Sequence, residues 1–133
     1  MNIKHFELVK IAEEFLEENY GMELGIPIFF NTRLKSTLGR FIYDIKGNDN
    51  VPKKIELSVE FMQNHPRENI INVLKHELIH YALCYHNKPF KDGQWYFENE
   101  LKKHGVHSTN YFMQTGDIHR YTCKECGQNY DRK

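Results

Sequence analysis

The sequence has few cysteines and no long apolar segment. Three cysteines in 133 residues do not fit a disulfide framework and are typical of a reducing compartment. No segment approaches the roughly 18 consecutive apolar residues of a membrane-spanning helix. Residues Met1 to Glu7 lack the apolar segment and the small-residue cleavage site of a signal peptide. We therefore expect a cytoplasmic protein without a membrane partner.

The sequence also has no excess of either charge. Lysine and arginine together number 18, as do aspartate and glutamate, so the formal net charge is zero. Such a chain does not bind nucleic acid through its overall charge, although a local basic patch is compatible with this composition. Apolar residues make up 40% of the chain, which is enough for one folded core and argues against disorder throughout.

The first half of the chain predicts one helix followed by three strands. Apolar residues three or four positions apart between residues 3 and 19 are typical of an amphipathic helix, and Gly21 is suited to end it. Segments rich in β-branched and aromatic residues follow at Ile26 to Asn31, Arg40 to Ile45 and Lys54 to Val59. Their connections are too short for crossover helices, so we expect a short antiparallel three-stranded sheet.

The second half predicts two helices packed with that sheet, which makes the fold class α+β. Pro66 suits the first helical position, and helical spacing of apolar residues continues to Leu83. Asn87 to Pro89 should end this helix. Another helix is expected from Trp95 to His104, closed by Gly105.

Two histidines lie four residues apart on the first of these later helices. His76 and His80 therefore project from one face, where two imidazoles can bind one zinc ion. Glu77 lies beside them. It can take a proton from a zinc-bound water without being a ligand, and it can deliver a proton to a leaving amine. Because the motif falls on a strongly periodic helix, we interpret it as a metallopeptidase site.

A catalytic zinc site needs a third protein ligand, and spacing leaves its identity open. The candidates downstream are His86, Asp92, Glu98, Glu100, His104 and His107. His86 lies six residues past His80 and is expected on another face. Asp92 lies in a loop that can fold back to the metal, and Glu98 lies on the next helix, as in proteases with a downstream glutamate ligand. Spacing does not choose between these two carboxylates.

Together these segments resemble the SprT-like zinc metallopeptidases, in particular the small bacterial members related to the eukaryotic Spartan protease. The resemblance extends over nearly the whole chain. It is carried by Phe30 to Phe41, Ile55 to Ser58, His76 to Tyr81, Phe97, Leu101 and Gly105. It implies helices packed on a short antiparallel sheet, with zinc between the metal helix and the loop after it.

The resemblance also implies a third ligand. In this family it is a histidine in the loop after the metal helix, and a gapless alignment through Phe97 places Asp92 at that position. A carboxylate is a competent zinc ligand, although it is harder than imidazole and can admit another metal. A shift of one or two residues would place Gln94 there, a poor ligand. The expected site is therefore His76, His80 and Asp92 as ligands of Zn²⁺, with Glu77 catalytic.

The C-terminal tail resembles part of a zinc ribbon. Bacterial members of the family end in a ribbon with two CxxC pairs, and this sequence has one, Cys123 and Cys126. Two cysteines supply only half of a four-ligand zinc site, so His119, His107 or a partner would have to complete a second metal site. We divide the chain into an SprT-like metallopeptidase domain, residues 1–106, and the tail, residues 107–133.

The expected function is a zinc-dependent metallopeptidase acting on protein or peptide substrates. The alternative is a non-catalytic metal-binding protein of the same fold, regulatory or bound to protein or DNA, and the aspartate at position 92 motivates it. A zinc hydrolase acting on a non-peptide amide is a third class. Similarity to Spartan suggests proteins bound to DNA as substrates, although the neutral charge does not favour a DNA-binding surface.

Several side chains near these motifs have two interpretations. Tyr81 could stabilise an oxyanion, but packing against the sheet is the favoured interpretation. Arg33 is expected to brace the turn predicted at Gly39, whereas Arg40 could brace that turn or bind an anionic substrate group. Trp95 is expected to be partly exposed near the cleft, and Phe97 to lie in the core.

Overall fold

The computed structural model describes residues 3–108. Within that range the elements are α1 His5–Tyr20, β1 Ile28–Asn31, β2 Gly39–Lys46, β3 Asp49–Ser58, α2 Val59–Asn64, α3 Arg67–Tyr85 and α4 Trp95–Lys103. The α+β class and the three-stranded sheet are confirmed. Among the described residues, no helix is both long enough and apolar enough to cross a membrane.

The sheet is mixed, which corrects the expected antiparallel arrangement. Strand order is β1-β3-β2, with β2 antiparallel and β1 parallel to the central strand β3. Strands β1 and β2 do run in opposite directions, as their short connection requires, but they are not neighbours. The β2–β3 hairpin returns the chain between them, so β3 pairs with β1 in parallel through Ile28 and Ile55. Short connections fix the relative direction of consecutive strands, but not which strands become neighbours.

Helix α3 is the central element of the core. It packs on one face of β2 and β3 and also contacts α1 and α4. Its residues from His76 to Cys84 are all buried, because the helix is covered on several sides and not only along one stripe. The inward side chains of β3, such as Ile55 and Leu57, are at most 1% exposed. The core therefore surrounds the helix that carries the two histidines.

A short helix, α2, follows β3 and was not predicted; it begins at Val59, which was expected to end the third strand. Ser58 ends β3 and caps this helix, since its hydroxyl accepts the Phe61 N–H at 3.1 Å and donates to the Leu34 carbonyl at 2.9 Å. The side chains of Phe61 and Met62 are buried. Helix α2 therefore directs the chain from the central strand to the start of α3.

Gly39, the first residue of β2, has no side chain, and the strand can therefore approach α3 closely at this point. A Cβ atom at this position would lie 3.0 Å from the Leu57 side chain and 3.1 Å from that of Val73. Those distances are shorter than ordinary carbon contacts, so a side chain would push the strand away from the helix. This close contact places Phe41, two residues further along β2, over the face of α3 that carries His80.

Candidate metal centre

Helix α3 presents its two histidines and the intervening glutamate in a buried setting. His76, Glu77 and His80 are 7%, 6% and 8% exposed. The two imidazoles lie one turn apart, with ring centroids separated by 5.0 Å. Three polar side chains buried together require partners, because an unpaired buried polar group is costly. Their partners identify what the site can do.

The loop after α3 returns to this face and brings a carboxylate to both histidines. Asn87 has a left-handed backbone, with φ 60°, where α3 ends, and Gly93 has φ 86° beside the returning aspartate. One oxygen of Asp92, Oδ1, lies 3.1 Å from Nε2 of His76 and 3.3 Å from Nε2 of His80. Glycine adopts this φ without steric cost, which lets the loop turn away directly after Asp92.

These three side chains could hold one metal ion. The ligand atoms of His76, His80 and Asp92 all lie within 4.8 Å of one another. Tetrahedral zinc with bonds of 2.0–2.1 Å needs ligand atoms about 3.3 Å apart, close to the separations between Asp92 and each histidine. Two imidazoles and one carboxylate form a donor set found in catalytic zinc sites, which leave one position open. The Asp92 side chain is 53% exposed, so the site is open to solvent on that side.

Backbone carbonyls orient both imidazoles. Nδ1 of His76 lies 2.9 Å from the carbonyl oxygen of His107, and Nδ1 of His80 is hydrogen-bonded to the carbonyl of Phe90. With each Nδ1–H donating to a carbonyl, each Nε2 faces Asp92. It donates a proton to the carboxylate while the imidazole is protonated, and it offers its lone pair to a metal ion once that proton is lost. Partners of this kind fix the tautomer and the ring orientation of metal-binding histidines.

Aromatic side chains enclose the imidazoles. The ring of Phe97, on α4, stacks on that of His80 with centroids 4.0 Å apart and an interplanar angle of 13°. Phe41 of β2 lies nearly parallel to the same imidazole at 6.5 Å, and Phe90 packs edge-on against Phe41 and Tyr43. Phe97 is fully buried, as expected for a core residue. The apolar surroundings restrict both solvent access and histidine movement.

Charge interactions shift the pKa values of this cluster. Burial lowers the pKa of His76, but the hydrogen bond to Asp92 and its negative charge outweigh burial and raise the value to about 9. The pKa of His80 is also raised, since the charge of Asp92 outweighs burial. Burial raises the pKa of Asp92, but the nearby histidines lower it overall. Burial dominates for Glu77 and raises its pKa.

These shifts predict the pH dependence of stability in the metal-free protein. A histidine whose folded pKa exceeds its unfolded value stabilises the fold fully below about pH 6.5, and this contribution is lost as pH rises toward 9. With a chelator present, the free energy of unfolding should therefore fall between pH 6.5 and 9. Denaturant titrations at both pH values would measure the change.

Replacement of Asp92 by asparagine provides the comparison for this pH experiment. Asparagine removes the charge that favours the imidazolium ions, so the fall in stability over this pH range should become much smaller. The matched control is Asp44→Asn, since Asp44 pairs with Lys53 on the β2–β3 hairpin and should leave the pH dependence unchanged. Equal pH dependence in the parent and Asp92→Asn proteins would contradict the expected charge interaction.

The other candidate ligands lie elsewhere. His86 follows α3 and contacts the carbonyl of Tyr20 at 3.2 Å. Glu100 and His104 form a separate cluster with the Tyr20 hydroxyl, which donates to Glu100 at 2.7 Å. Glu98 accepts hydrogen bonds from the Gly93 N–H and the Ser108 hydroxyl. His107 contributes its backbone carbonyl, which sequence patterns do not reveal.

The flanking residues also have defined positions. The Tyr81 hydroxyl contacts the Gly25 N–H at 3.0 Å and the Glu23 carbonyl at 3.3 Å, which agrees with a packing role. Arg40 donates to the buried Glu56 at 2.6 Å and so braces the sheet. The side chain of Trp95 is 77% exposed. Gln94, the alternative third position, donates its backbone N–H to the Lys91 carbonyl.

The tail lies mostly outside the described residues. Cys123, Cys126 and His119, which the sequence suggested for a second metal site, are beyond residue 108. The second metal site and the ribbon-like tail therefore remain sequence predictions, as does the division of the chain at residue 106.

The fold and the site together define a general class of protein. It is an α+β domain with a candidate metal site, in which the central helix presents two histidines to a carboxylate from the next loop. Comparison with known proteins then gives the family: the SprT-like family matches residues 6–107, and the chain belongs to it.

Curated relatives of the chain carry the same family name. The chain is 30% identical over 131 residues to the "Protein SprT-like" of Bacillus velezensis, covering 96% of this chain and 83% of the relative. It is 30% identical over 133 residues to that of Bacillus subtilis, with the same coverage. Identity to the Streptococcus mutans protein of this name is 29% over 127 residues, covering 95% and 83% of the two chains.

Proposed function

We propose that the protein is a zinc-dependent metallopeptidase, with His76, His80 and Asp92 as zinc ligands and Glu77 as the general base. The observation that carries the proposal is the convergence of these ligand atoms within 4.8 Å, with a buried glutamate next to one of the histidines along α3. Within residues 3–108 the group has three members and no fourth protein ligand. A structural zinc would be closed by a fourth protein ligand, so this combination supports metal-assisted hydrolysis better than a purely structural site.

The residues of the chain divide the chemistry between them. Zinc, when bound, supplies the Lewis acidity that polarises a carbonyl group and acidifies water. Glu77 accepts the proton of the attacking water and delivers it to the leaving amine as the peptide bond breaks. Its burial raises its pKa, which moves the carboxylate toward the range in which a general base is effective near neutral pH.

Access from the Asp92 side suits a peptide substrate. The two histidines and Glu77 are buried, whereas the Asp92 side chain is half-exposed. A carbonyl group can therefore approach the open side while the helix face stays shielded from bulk solvent. The proposed substrate class is an unfolded or extended segment of a protein, since such a chain can present a backbone carbonyl to the side of the site that Asp92 leaves open.

Variants at position 92 test the proposal directly. Asp92→Ala removes one of three ligands, so zinc affinity should fall by at least about tenfold, in line with losses for weaker perturbations of zinc sites. Cleavage of an unfolded protein substrate should fall in parallel. Asp92→His restores a ligand of the type found in the family and should recover zinc affinity and cleavage. Chelator competition would measure affinity, and fragment release would measure cleavage.

The same series separates catalysis from metal binding alone. Asp44→Asn is the control, because this aspartate pairs with Lys53 away from the site and should leave both properties unchanged. A parent protein that binds zinc without cleaving any peptide bond would support the non-catalytic alternative. Unchanged zinc affinity in Asp92→Ala would remove this residue from the metal site.

A further inference from the structure

Two chain segments meet at the metal centre, and one glutamate joins them. The first segment is the loop that carries Asp92 and Gly93. The second, residues 105–108, follows α4 and supplies the His107 carbonyl that orients His76. Glu98 lies between them on α4. Its Oε2 accepts the Gly93 N–H at 2.9 Å, and its Oε1 accepts the Ser108 hydroxyl at 3.1 Å.

The second segment is also attached to the metal helix itself. Asn72 lies one turn before His76 on α3. Its side-chain oxygen accepts the His107 N–H at 2.9 Å, and its amide lies 3.4 Å from the Gly105 carbonyl. The segment that orients His76 is thus held by α3 on one side and by Glu98 on the other. The Asp92 loop is connected to this arrangement through Glu98.

We infer that Glu98 is a positioning residue for the metal centre, whose two carboxylate oxygens hold the Asp92 loop and the His107–Ser108 segment in the geometry that binds metal. This inference rests on the proposed function, since it takes Asp92 and His76 as ligands. Spacing in the sequence had made Glu98 a candidate metal ligand; the inference instead gives it an indirect role, through the segments that carry Asp92 and His107.

The geometry of the loop explains why such a residue is needed. Aspartate has a short side chain, so its carboxylate reaches the histidines only if the backbone lies close to α3. The residue after Asp92 is Gly93, with φ 86°. Because glycine is the most flexible residue, it does not by itself restrain the loop backbone in this conformation. Hydrogen bonding of the Gly93 N–H to Glu98 supplies that restraint directly next to Asp92. Outer partners of metal ligands typically affect affinity by about 10- to 100-fold.

The test compares Glu98→Ala with Glu98→Gln in the full chain. Alanine removes both hydrogen bonds, whereas glutamine keeps an oxygen acceptor for the Gly93 N–H and an amide that can pair with Ser108. Glu98→Ala should weaken Zn²⁺ binding by roughly tenfold, and Glu98→Gln should stay within about threefold of the parent. The control is Asn99→Ala, an exposed residue of the same helix, which should leave affinity unchanged.

Two further measurements report geometry independently of activity. In protein loaded with Co²⁺, Glu98→Ala should change the visible absorption bands, which respond to ligand arrangement, and Glu98→Gln should restore them. In metal-free protein, hydrogen exchange at the Gly93 amide should be faster in Glu98→Ala than in the parent or in Glu98→Gln. Circular dichroism would establish that α4 remains folded in each variant.

The outcomes distinguish positioning from other roles of Glu98. If Glu98→Gln loses metal as severely as alanine does, Glu98 acts through its charge, as a ligand or at the start of α4, and the inference is wrong. Unchanged affinity, Co²⁺ spectrum and amide exchange in Glu98→Ala would also overturn it while leaving the proposed function intact. A parent protein that binds no zinc would overturn the proposed function and this inference with it. If Glu98→Ala does not fold, the affinity and spectrum of Glu98→Gln still decide between a charge role and positioning.

Discussion

Replacement of Glu77 by glutamine should leave zinc bound and reduce peptide-bond hydrolysis by at least about a hundredfold, the scale expected for loss of a general base. Glutamine has nearly the same shape as glutamate and fits the buried position, which is 6% exposed. Its amide cannot accept the proton of the attacking water. The loss should appear in kcat, because proton transfer belongs to the chemical step and not to substrate binding.

The measurement follows cleavage of an unfolded protein by zinc-loaded parent and variant, with zinc content determined on the same samples. Glu60→Gln is the matched control, since Glu60 lies on α2 and pairs with the exposed Lys35. This control should cleave at the parent rate. A Glu77→Gln protein as active as the parent would exclude Glu77 from the mechanism, and loss of zinc along with activity would indicate a structural role for the carboxylate.

Replacement of both His76 and His80 by alanine should abolish high-affinity zinc binding at this site, from about one ion per chain to none. The double change leaves Asp92 as the single remaining member of the group, and one carboxylate does not retain zinc against a chelator. Because both imidazoles are buried and Phe97 stacks on His80, the variant should also lose thermal stability through the cavities that form. Metal analysis after dialysis would measure the stoichiometry.

Two controls make this result specific. The first control is His86→Ala. His86 follows the end of α3 and contacts the Tyr20 carbonyl, so this variant should still bind zinc. Cys123→Ser with Cys126→Ser removes the tail pair, which the sequence offers as another metal site. Undiminished stoichiometry in the double-histidine variant, measured with the two cysteines also replaced, would exclude α3 as the zinc-binding element.

Local sequence patterns determined α1, α3 and α4 and the residues that these helices present, but not the short helix α2. The apolar spacing of residues 3–19 and the glycine at position 21 predicted α1 almost to its ends, and Gly21 does adopt the left-handed conformation that closes it. The spacing of His76 and His80 required both imidazoles to lie on one face of α3. Such predictions succeed because a helix is a local structure, in which the neighbours of each residue are set by positions three and four away.

Loop and sheet geometry depended on contacts between distant parts of the chain. Both Asp92 and Glu98 were chemically suitable ligands at plausible spacings, and only the folded loop brings Asp92 against the histidines while Glu98 turns to Gly93. The partners of the imidazoles are backbone carbonyls of Phe90 and His107. Every residue has such a carbonyl, so no side-chain pattern marks them.

The sequence by itself therefore determined the fold class, the helix that carries His76 and His80, and the resemblance to the SprT-like family, because each follows from local periodicity or from short motifs along the chain. Tertiary structure alone decided that β3 lies between β1 and β2. It also brings Asp92 and not Glu98 against His76 and His80, a choice that spacing left open and that the family resemblance made in favour of Asp92. The physical reason is that strand order and loop conformation are set by the packing of the whole core, in which contacts far apart in sequence compete.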